Sequence, residues 1–108
     1  MSKMATREEV LRDVSRVFCE FLEVAVHQIL FIRAVYPAEL FERKRKYNVP
    51  VRQSRHKELN DYIANAVVDV KKWMDRGVVE KVVVSIESSQ TRQQIERFVF
   101  EVEVDLLG

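Results

Sequence analysis

The feature that most constrains this fold is one helical pattern running from Thr6 to Tyr36 without a single Gly or Pro. Apolar residues recur at Val10, Leu11, Val14, Val17, Phe18, Phe21, Leu22, Ala25, Val26, Ile29 and Leu30. The steps are threes and fours, the period of a helix. Thr6 can cap the first free amides, and Glu9 stands where it can reach back to that cap. Pro37 disfavours helix at Tyr36 and lacks its own amide hydrogen, so it marks the stop. The pattern predicts a helix of about 30 residues and about 45 Å. Beyond Glu23 its polar face thins, because Val24, Phe31 and Ile32 add apolar surface. A helix apolar on nearly every side is enclosed by other elements. In a chain of 108 residues such a helix is the central spine.

Ala38 to Arg55 reads as irregular or extended. Pro50 argues against a central strand there, and the basic run Arg43-Lys44-Arg45-Lys46 suits an edge. A second helix is predicted from about His56 to Arg76, with the stripe Leu59, Tyr62, Ile63, Ala66, Val67, Val70, Trp73 and Met74. Lys71, Lys72 and Arg76 meet the negative end of its dipole, and Gly77 suits a left-handed stop. The period then becomes two. Val82, Val84 and Ile86 form one face of Val78–Glu87; Phe98, Phe100, Val102 and Val104 form one face of Ile95–Val104. That is a half-buried hairpin. Helix, extended basic segment, helix, strand, strand predicts an α+β fold in one domain, with both helices on one face of an antiparallel sheet. A lone hairpin makes a weak sheet with open edges, which allows edge-to-edge self-association.

Composition narrows the function more than it names it. Hydrophobic residues are 47% and charged residues 32%, which is ordinary for a globular chain and too apolar for a disordered one. Area scaling gives a folded surface of about 6,300 Å². The net charge is only +1, no bulk case for binding nucleic acid. The distribution is uneven: Glu42–Lys57 carries +6, and Val79–Asp105 carries −3. No apolar stretch is long enough to span a membrane, and no secretory leader is visible. A single Cys and two His make a poor metal set, so neither a metal nor another cofactor is expected. No phosphate loop or hydrolase elbow occurs. Cys19 and His27 lie about 12 Å apart along the first helix, beyond direct contact, and read as a buried thiol and a helix histidine. These features argue against an enzyme and predict a reducing compartment, cytosol or nucleus.

Three features could still make contacts. Arg43–Lys46 could bind phosphate backbones, a nuclear-import receptor or a protein, or simply face water. Tyr62 breaks an aliphatic stripe with a flat ring and one polar handle, suited to an extended proline-containing peptide or to a place at the edge of the core. Trp73 reads as packing.

The segment Phe18-Cys19-Glu20-Phe21-Leu22-Glu23-Val24-Ala25-Val26-His27, with Ile29-Leu30 and the Val35-Tyr36-Pro37 stop, resembles the first helix of HORMA domains. Phe41 to Val51, Glu58-Leu59-Asn60, Tyr62-Ile63, Val79 to Val84 and Arg97 to Glu101 continue the likeness. The branch it resembles is the mitotic-arrest-deficient-like accessory subunit of DNA polymerase zeta. The spindle-checkpoint branch is a near relative, and Lys71-Lys72-Trp73 looks somewhat closer to it. The resemblance implies a non-catalytic adaptor, nuclear, in translesion DNA synthesis and double-strand-break repair. It would hold a short peptide of the polymerase catalytic subunit or of a repair effector. It implies that Tyr62 touches the peptide and that Arg43 lies where two HORMA domains meet. It also implies a C-terminal half, the safety belt, that is missing from a partial domain spanning 1–108. A small basic nucleic-acid-binding module is the reading of another class.

Overall fold

The computed structural model describes residues 6–77, 81–88 and 90–101. Its elements are α1 (Arg7–Ile32), a 3-10 turn (Ala38–Leu40), β1 (Phe41–Lys46), β2 (Val49–Ser54), α2 (Lys57–Asp75), β3 (Lys81–Glu87) and β4 (Gln94–Glu101). The fold is α+β. Its strands form two separate antiparallel hairpins, β1–β2 and β3–β4, where the sequence predicts one sheet. Val102, Val104 and the other terminal residues lie outside the described part.

α1 is the predicted spine, but shorter. The Thr6 hydroxyl accepts the Glu9 amide at 3.1 Å, so the start is as expected. The helix ends at Ile32, before proline can act. Val35 donates to the Leu30 carbonyl and Ala34 to the Phe31 carbonyl, each at 3.1 Å, with Ala34 at φ 52°. This is a Schellman stop carried by alanine in place of glycine.

The core is small: Cys19, Leu22 and Ile29 of α1, Phe41 of β1, and Ile63 and Met74 of α2 are its buried apolar residues. The rings of Phe31 and Phe41 meet edge-on at 5.3 Å, seating the start of β1 on α1. Polar contacts complete the join. The Ser15 hydroxyl donates to the Asp75 carboxylate, which also pairs with Lys71 at 3.0 Å, tying the start of α1 to the end of α2. Gly77 stands at φ +71° and donates to the Met74 carbonyl at 2.9 Å, the predicted left-handed stop.

Of the two readings of the basic segment, irregular or extended, the extended one holds. The segment is a tight hairpin whose turn residues, Tyr47 and Asn48, both have positive φ (52° and 65°), as a type I′ turn requires. The closing pair Lys46–Val49 exchanges ladder bonds, so the Pro50 nitrogen faces away from β1 and its missing hydrogen costs nothing there. Every second residue of β2 then faces α1. Gln28 accepts the Arg52 amide at 3.0 Å and donates to the Arg52 carbonyl at 2.6 Å. His27 Nδ1 accepts the Ser54 amide at 3.1 Å. Two side chains of α1 thus act as a surrogate strand along β2.

β3–β4 shows the predicted alternation, with Val82, Val84, Ile86, Phe98 and Phe100 half-buried. A register shift between Ile86 and Glu87 leaves Ile95 out of the ladder and exposed. Phe21 meets Phe100 at 6.1 Å, Arg33 pairs with Glu96 at 2.8 Å, and the Arg33 guanidinium lies 5.8 Å from the Phe98 ring. The accessible surface is 8570 Å², well above the ~6,300 Å² of a compact chain of this mass.

Candidate functional site: an aromatic depression beside the second helix

The inner face of α2 is Leu59, Ile63, Val67, Val70 and Met74. Tyr62 and Trp73, one residue off that stripe, are 74% and 55% exposed. The packing role expected of Trp73 is therefore wrong. Leucine-like periodicity cannot separate the margin of a stripe from its centre.

Tyr62 stands at the lip of a shallow depression of about 500 Å³ lined also by Tyr36, Leu40, His56, Glu58 and Leu59. Each wall has a local cause. The Schellman reversal after α1 swings Tyr36 out, and the 3-10 turn after Pro37 delivers Leu40. His56 caps α2, its Nδ1 accepting the Leu59 amide at 3.2 Å. Behind the cap, Asn60 Nδ2 donates to the Ser54 carbonyl at 2.9 Å, and the Ser54 hydroxyl accepts the His56 amide at 3.0 Å. The β2–α2 junction, and with it the first turn carrying Glu58, Leu59 and Tyr62, is thereby fixed. Sequence reasoning singled out Tyr62; Tyr36 and Leu40 join it as lining residues of the same depression. Tyr36 stood in plain view as the residue before Pro37.

Two exposed phenol rings flanking an aliphatic floor can stack on an extended peptide while their hydroxyls stay in water. Among the described residues, no cluster of His, Cys, Asp or Glu could hold a metal ion. No helix there is long and apolar enough to cross a membrane. Cys19 and His27 are both buried but serve different joints. Burial pushes the Cys19 thiol up, with Lys71 opposing; burial holds the His27 imidazole below its usual value, with Glu23 opposing.

Arg43 lies elsewhere, exposed on β1 directly opposite Arg52. It borders another depression, of about 250 Å³, with Gln28, Pro50, Val51 and Arg52.

Comparison with known proteins gives these features a family. Residues 15–106 match the model of the HORMA domain. The chain belongs to the HORMA domain family. Over 89 residues it is 52% identical to the Homo sapiens mitotic spindle assembly checkpoint protein MAD2B, covering 82% of this chain and 42% of that protein. It is 37% identical over 92 residues to the DNA polymerase zeta processivity subunit of Arabidopsis thaliana, covering 85% of this chain and 42% of the relative. The chain thus spans less than half the length of these relatives. A chain in the crystal structure of a mitotic checkpoint complex superimposes with a TM-score of 0.80 at 37% identity, over 84% of this chain and 51% of that one. The likeness at this identity extends the family assignment to the three-dimensional arrangement.

Proposed function

We propose that this HORMA chain is a protein–protein adaptor, not an enzyme, that holds a short extended peptide of a partner against Tyr62. The observation that carries the reading is the prebuilt depression beside α2, with Tyr62 three-quarters exposed at its lip and Tyr36 and Leu40 on its walls. Exposed aromatic rings around a concavity are typical anchors of protein recognition. The partner is a peptide of the DNA polymerase zeta catalytic subunit or of a repair effector, and the setting is translesion synthesis and double-strand-break repair in the nucleus. Likeness to the polymerase zeta processivity subunit supports that setting. Arg43, exposed on β1, is proposed to meet a second HORMA domain.

The test is fluorescence anisotropy with a labelled peptide from the polymerase zeta catalytic subunit. It uses the chain itself and the chain continued by the C-terminal remainder of the human relative. Tyr62→Ala is expected to weaken binding about thirtyfold, equivalent to the ~2 kcal/mol of an aromatic anchor. Unchanged affinity would remove Tyr62 from the site. A second reading, spindle-checkpoint assembly, is favoured by the name of the human relative and by the checkpoint complex. Competition between the two partners' peptides for one protein distinguishes the settings.

A further inference from the structure

The outer edge of β1 has no strand beside it among the described residues. The phase of the hairpin fixes what points there. Lys46 and Val49 close the turn, and the Arg55 amide bonds the Leu40 carbonyl at 2.7 Å in the same phase. Residues 43 and 45 are therefore turned outward, with their N–H and C=O groups at the open edge. The equivalent outward groups of β2 are taken: Arg52 by Gln28, Ser54 by His27. On β1 nothing takes them among the described residues.

The side chains are equally unbalanced. Arg43 and Arg45 share one face of β1, and Arg52 faces Arg43 across the ladder. Like charges directly opposite destabilise a sheet unless something neutralises them. The ion pairs among the described residues include Lys44 with Glu42, but none of Arg43, Arg45 or Arg52. The Arg52 guanidinium lies 4.9 Å from the Phe31 ring centroid, which holds it in place.

We propose that this edge binds an extended acidic peptide strand with carboxylates at alternate residues. Such a strand repeats every ~6.8 Å per two residues, so its carboxylates fall in step with Arg43 and Arg45. Its backbone satisfies the open N–H and C=O groups, as in strand addition. Arginine suits the role because its planar fork grips a carboxylate through two bonds. A second copy of β1 would bring like charge to the same edge and is repelled. A nucleic-acid strand would neutralise the arginines but lacks the amides to complete the ladder. This inference stands apart from the Tyr62 reading and survives its failure. A bound strand would compete with a second HORMA domain for Arg43.

The experiment is fluorescence anisotropy on the 108-residue chain. The probes are a short labelled peptide of alternating Glu and Thr, the same peptide N-methylated at alternate residues in each of the two phases, and a single-stranded oligonucleotide of similar length. Binding of the parent peptide is expected, with loss in at least one methylated phase and weaker binding of the oligonucleotide. Arg45→Glu is expected to cost about tenfold in affinity, as close charge pairs do across interfaces. Lys44→Glu, on the opposite face of β1, should cost less. Both sites are exposed, so circular dichroism should report an unchanged fold. Four results would each overturn the proposal: no peptide binding, equal binding of both methylated phases and the parent, equal losses in the two variants, or tighter binding of the oligonucleotide.

Discussion

Lowering the pH should loosen the joint between α1 and β2, and His27 is the reason. The ring is 4% exposed, and the Ser54 amide that donates to it belongs to a residue 1% exposed. Water cannot replace either partner. A protonated imidazole carries hydrogens on both nitrogens, so Nδ1 can no longer accept. Burial accordingly holds the folded-state value below the ordinary 6.5, against the opposing pull of Glu23. Between the folded and unfolded values the unfolded chain binds more protons, so stability rises with pH there. The contribution is fully present above about pH 6.5 and is lost as pH falls through the folded value. Removing the acceptor outright strands a buried amide, which costs about 1–3 kcal/mol. In a domain of this size each kcal/mol shifts the melting temperature by about 4–8 °C. Urea unfolding between pH 8 and pH 5, followed by far-ultraviolet circular dichroism, should show wild-type stability falling below about pH 6.5. His27→Leu should be less stable at pH 8 by that cost and should lose much of the slope. His27→Asn places a non-titrating oxygen where Nδ1 stood and should recover part of the stability without restoring the slope. A wild-type profile flat over this range, or a slope unchanged in His27→Leu, would refute the reasoning.

Two further outcomes are expected. Ser15→Ala removes the hydroxyl that chiefly holds the Asp75 carboxyl below its usual value, with Lys71 adding to the effect. Because Asp75 is partly exposed, the loss should be about 1 kcal/mol at neutral pH. It should shrink as acid protonates Asp75, whose contribution is fully present above about pH 3.8 and is lost as pH falls from there through the lower folded value; denaturant titration at neutral pH and stepwise below about pH 4 checks both points. Gly77→Ala meets no steric neighbour within 4 Å, so its cost comes from φ +71° alone. A loss of about 1–2 kcal/mol is expected from thermal melts, and an unchanged melting temperature would contradict the left-handed stop.

The parts of the fold legible in the sequence were those with local causes. The Thr6 cap, the threes-and-fours stripe of α1, Gly77 and the alternation of β3 and β4 each act within a few residues. For β1–β2 only an extended or edge character was legible; the hairpin itself was not, because its turn uses Tyr47-Asn48 where glycine is the usual signal. Pro50 is tolerated because the phase of the hairpin turns its nitrogen away from β1, and tertiary contacts from Gln28 and His27 then engage the residues that follow it. The end of α1 was misplaced for a similar reason, since Ala34 adopts a left-handed conformation that its side chain does not advertise. At the candidate site Tyr62 was visible as an aromatic interruption, while Tyr36 and Leu40 reach the same depression through backbone reversals that no periodicity records.

The proposed docking surface is Tyr62 and its neighbours. The most direct measurement is a nuclear magnetic resonance titration of the isotope-labelled chain with the polymerase zeta catalytic-subunit peptide. Shifts concentrated at Tyr36, Leu40, Leu59 and Tyr62 are expected; saturating peptide that leaves these four residues' resonances unmoved would rule out the surface.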